Sequence, residues 1–63
     1  MEVFTGYVDA IIDGIAYVIL KDEEGVRYYG EYSAEKFAEK GIFNGCRFEA
    51  KSDGGEVIIK PLP

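Results

Sequence analysis

Asp13-Gly14 separates two apolar stretches, Val3 to Ile12 and Ile15 to Lys21. A two-residue Asp-Gly loop between such stretches specifies a β-hairpin, because both central positions of its tight turn take positive φ, which Asp tolerates and Gly adopts without strain. The same punctuation recurs along the chain. Asp22-Glu23-Glu24-Gly25 leads into Val26 to Tyr32, so the first three strands, about 3–12, 15–21 and 26–32, read as a meander. Asn44-Gly45 precedes an alternating strand, about 46–51. Ser52-Asp53-Gly54-Gly55 separates it from a last strand, about 56–60, before Pro61-Leu62-Pro63 ends regular pairing.

One segment has helical rather than strand periodicity. Ala34, Phe37, Ala38 and Gly41 fall at i, i+3, i+4 and i+7, Ser33 is placed to cap the N-terminus, and Glu35 lies in the first turn. Gly41 suits the left-handed position after the helix, which would set Ile42 over Phe37 in a Schellman ending. A helix over about 34–40 follows. The fold class is therefore all-β with one short helix, one small β-barrel domain over residues 1–63, closed or partly open, in the order β-β-β-α-β-β.

Composition excludes most chemistry. The chain has 63 residues, no His and one Cys, so it holds no His-activated nucleophile and no thiolate or imidazole metal site. Asp22-Glu23-Glu24 lacks the spaced oxygen ligands of a calcium loop and reads as a solvated turn. We expect no enzyme activity, no catalytic residues, no metal and no cofactor. A chain this short buries only roughly 60% of its unfolded surface, so its core must be nearly complete. The longest apolar run, Ile15 to Leu20, is far short of a membrane span, and the start Met1-Glu2-Val3-Phe4 has no basic leader, so a cytoplasmic protein with a reduced Cys46 is expected.

Phe4-Thr5-Gly6-Tyr7-Val8 in the first strand, Ala16 to Leu20 in the second, and Gly41-Ile42-Phe43-Asn44-Gly45-Cys46-Arg47-Phe48 leading into the fourth carry a resemblance. With the helix between strands three and four, the chain resembles the small oligonucleotide/oligosaccharide-binding (OB) folds, among them S1-type domains and bacterial translation initiation factor one. The resemblance covers nearly the whole chain at the level of topology. An SH3-like barrel is the rival architecture.

Strand alternation sorts the side chains. Phe4, Val8, Ile12, Ala16, Val18, Leu20, Val26, Tyr28, Cys46, Phe48, Val57 and Ile59 form an inner set with Phe37 and Ile42, while Gly6 and Gly30 are positions where strands can bend. The opposite parity puts Tyr7, Asp9 and Ile11, then Tyr17, Ile19 and Lys21, then Arg27, Tyr29 and Glu31 on one outward face. The candidate binding residues are Tyr7, Tyr17, Tyr29, Arg27 and Lys21.

Two functions compete for that face. Aromatics beside Arg favour protein interfaces, so a protein partner or a homo-oligomer is expected, through this face or through the edge of the last strand. The OB resemblance implies the alternative, single-stranded RNA or DNA stacked on the tyrosines. Against it stands a net charge of −5, from twelve carboxylates and seven bases. That excess belongs to residues 1–25, which hold six carboxylates and one base; residues 26–63 hold six of each. Tyrosine also favours strands for structural reasons alone, and cross-strand aromatic pairs stabilise sheets by roughly 0.2–1 kcal/mol each.

Overall fold

A computed structural model describes residues Met1–Pro63. Its elements are β1 (Glu2–Ile12), β2 (Ile15–Lys21), β3 (Arg27–Ser33), α1 (Ala34–Glu39), β4 (Arg47–Asp53) and β5 (Glu56–Pro61). The strands form one antiparallel sheet in the order β3-β2-β1-β4-β5. The longest strand is thus central, hydrogen-bonded to β2 on one side and to β4 on the other. The sheet is not closed: β3 and β5 remain its two edges.

The local signals act as their chemistry dictates. Asp13 and Gly14 have φ of 50° and 77°, and the turn sets Ile12 opposite Ile15. The Ser33 hydroxyl accepts the Lys36 N–H at 3.3 Å, capping α1. At the other end Gly41 adopts φ 78°. The Ile42 N–H then donates to the Phe37 carbonyl at 2.9 Å and the Gly41 N–H to the Ala38 carbonyl at 3.0 Å, the two bonds of a Schellman motif.

α1 packs against β2 and β3 and inserts Phe37 into the core, where Val8, Ala16, Val18, Ile42, Phe48 and Ala50 are also buried. The Phe37 ring stacks on Tyr32 at 5.3 Å and meets Phe48 edge-on at 5.1 Å. Phe4, Leu20, Tyr32, Ala34, Cys46 and Ile59 pack around this centre half-buried.

Three departures from simple alternation have physical causes. A β-bulge lies between Val8 and Ala10, so that Asp9 is an extra residue and the faces exchange beyond it. Ile12, expected inside, pairs with Ile15 on the outward side and is 55% exposed. Ile11, expected outside, pairs with the buried Ala16. Second, Tyr28 and Val57 have inward parity but stay exposed, because they lie on the two edge strands that the sheet leaves unjoined. A groove of about 260 Å³ marks that seam, lined by Tyr32, Lys36, Phe37, Lys40, Val57 and Ile59 among others. Third, Val26 precedes β3, is exposed, and belongs to no strand.

Candidate functional site

The outward surface of β1, β2 and β3 is built from rows that cross the strands in register. The central row reads Tyr29, Ile19, Tyr7, Arg47 from β3 through β2 and β1 to β4. Tyr29 is 79% exposed and Tyr7 43%, with the half-buried Ile19 between them. One row toward the β2–β3 turn stand Arg27 and Lys21, directly opposite each other, and then Thr5. One row the other way stand Glu31 and Tyr17, which is 37% exposed, followed by Ala10 with the bulged Asp9 beside it.

All five residues selected from the sequence therefore lie on one surface. Tyr7 and Tyr29 flank Ile19, whereas Tyr17 sits two residues further along β2 in the row with Glu31. The close ring contacts of the protein, Phe4 with Tyr28 and Phe37 with Tyr32 and Phe48, involve other aromatics. Ile11, expected on this face, is turned away by the bulge. Arg47, which strand alternation within β1–β3 could not assign to it, is brought in from β4 by its register opposite Tyr7.

Charge divides the face in two. A depression of about 280 Å³ next to Tyr7 and Ile19 is bordered by Lys21, Arg27 and Arg47 and by no carboxylate. A second, of about 260 Å³, shares Ile19 and is bordered by Tyr17, Tyr29, Asp9 and Glu31 and by no base. Both are shallow and open to solvent.

The chain matches no protein-family model, no curated protein and no solved structure.

The pairing of charges differs across the sheet. On the β4–β5 half, Glu49 takes Lys51 at 3.6 Å and Lys60 at 3.9 Å. On the β1–β3 half, Lys21, Arg27, Asp9 and Glu31 are all exposed and, like Arg47 at the start of β4, have no ion-pair partner in the chain. Like charges set directly across a sheet destabilise it, so Lys21 opposite Arg27 is an arrangement the fold gains nothing from.

Elsewhere, the Asp22 carboxylate is committed to its own turn. Oδ1 accepts the Glu24 and Val26 N–H groups at 2.9 Å each, and Oδ2 accepts the Tyr28 hydroxyl at 3.1 Å. These bonds, the one from Val26 foremost, hold the Asp22 carboxyl below its ordinary pKa, and the bond to Asp22 raises that of Tyr28. No three Cys, Asp or Glu side chains gather as a metal site, and no helix is long and apolar enough to cross a membrane.

Proposed function

We propose that this chain is a non-enzymatic binding module on an OB-like, partly open barrel, and that the outward face of β1–β3 recognises another protein chain. The carrying observation is the like-charged pair Lys21–Arg27 beside the row in which the exposed Tyr29 and Tyr7 flank Ile19. A repulsive pair that costs the monomer is relieved when a partner supplies carboxylates, and exposed rings beside Arg are the residues that anchor protein interfaces. The helix between β3 and β4 and the central β1 support the OB-like reading, in which this same surface is the ligand face.

Photo-crosslinking tests the proposal. A benzophenone side chain at position 29 is expected to give protein adducts in an extract of the source cells, while the same group at position 38 on α1 does not. Equal adducts from both positions, or none from position 29, would sink it.

A second reading is favoured by the basic depression, where Tyr7 offers a ring for stacking and Lys21, Arg27 and Arg47 offer phosphate contacts. Fluorescence anisotropy with labelled single-stranded oligonucleotides at about 50 mM salt, where phosphate contacts are strongest, addresses it. Binding that Tyr7→Ala and Arg47→Ala both abolish would make nucleic acid the ligand of the face.

A further inference from the structure

The face carries both signs of charge, at equal distances from its central row. Arg27 precedes Tyr29 by two residues along β3, and Glu31 follows it by two. We propose that the occupant of the face is a second copy of this chain, related by a two-fold axis lying along the Tyr29–Ile19–Tyr7 row. The inference rests on the protein-binding reading above and names its partner.

Such an axis turns one face over onto the other and reverses the strand direction while keeping each strand over its own counterpart. Tyr29, Ile19 and Tyr7 then meet their equivalents in the second copy. Arg27 falls opposite Glu31 of the second copy, and Glu31 opposite its Arg27, so one contact occurs twice, as a two-fold interface requires. Lys21 falls opposite Tyr17 on β2, a cation facing a ring. The basic depression of each copy thereby faces the acidic depression of the other, and Arg27 and Glu31 of both find partners, while Arg47, at the β4 end of the row, meets its own equivalent. A standard interface takes about 800 Å² from each partner. The chain exposes 4429 Å² in all, so a dimer through this face would cover a little under a fifth of its surface.

Within one chain Arg27 and Glu31 stand four residues apart along a strand, about 13 Å, too far to pair with each other. Any coupling between them is therefore a contact between copies. Sedimentation velocity at about 50 mM salt, where exposed charges are weakly screened, reads the result. The wild type is expected to be dimeric. Arg27→Glu and Glu31→Arg each set like charges together twice, and each alone is expected to weaken association by about tenfold or more, the scale of close interfacial charge pairs. The double variant R27E/E31R restores both contacts and is expected to dimerise again. An equimolar mixture of R27E with E31R is expected to form the heterodimer, since both its contacts are complementary. Both positions are exposed, and thermal melting verifies that each variant is folded.

A wild type that remains monomeric to about 1 mM overturns the second-copy inference. So does a dimer whose double variant and mixed single variants both fail to reassociate. Neither result touches the wider proposal, which is tested separately by the adducts from positions 29 and 38 and by the oligonucleotide titration.

Discussion

The ring of Phe48 on β4 fills the space in which Gly6 on β1 would carry a side chain, the two residues being paired directly across the ladder. A Cβ at position 6 would collide with the ring itself, and Phe48 is fully buried. Gly6→Ala is therefore expected to cost about 1–3 kcal/mol, the usual range for overfilling a packed core. Urea titration checks it. Phe48→Leu in the same chain should recover part of the loss, giving a negative interaction energy in a double-mutant cycle.

Lys21→Glu separates folding from recognition. It replaces repulsion across the β2–β3 ladder with attraction to Arg27, so the monomer is expected to gain roughly 0.2–1 kcal/mol. The same change removes a cation from the face, and partner binding or self-association should weaken. Opposite signs in urea titration and in sedimentation are the expected signature; losses in both would show Lys21 acting in the fold alone.

The Asp22 turn predicts the acid limb of stability. The folded-state pKa of Asp22 is depressed, so its contribution is present above the unfolded-state value, about 3.9, and is lost as pH falls through the lower folded value. Asp22→Asn removes that titration. Between about pH 5 and pH 2 the wild type should lose more stability than the variant does, measured by urea midpoints. Tyr28 titrates the other way. Its raised pKa means that its contribution is complete below about 10 and declines as pH rises through the folded value.

Phe37 is the only buried side chain that α1 contributes to the core, lying between the rings of Tyr32 and Phe48. Phe37→Ala is expected to cost about 3–5 kcal/mol, a large share of the 5–15 kcal/mol that a domain usually has. Hydrogen exchange should then accelerate first in α1 and in the Ile42 amide, whose bond to the Phe37 carbonyl closes the helix.

Much of this was legible in the chain because its signals are local. The Asp13-Gly14 turn and the Gly41-Ile42 ending each depend on residues within a few positions of one another. The outward parity of Tyr7, Tyr17 and Tyr29 needed only a two-residue period. What escaped was set by distant partners. Arg47 reaches the face because β1 pairs with β4 some forty residues away, and the exposure of Tyr28 and Val57 depends on whether β3 meets β5. Neither relationship leaves a trace in local periodicity. Ala50, buried in the core, was likewise hidden by its small size within an otherwise polar stretch, Glu49 to Asp53.

The extra residue at Asp9 makes chain length, as well as composition, a determinant of what the surface offers. Deleting Asp9 would leave Ile11 over Ala16 and Ile12 over Ile15 and would only close the Val8–Val18 and Ala10–Tyr17 pairs into one unbroken ladder, straightening β1 and removing a carboxylate from the face. A hydropathy profile would barely register the change. For β1 a lost codon is thus absorbed at the bulge, because there the ladder already holds a residue without a partner.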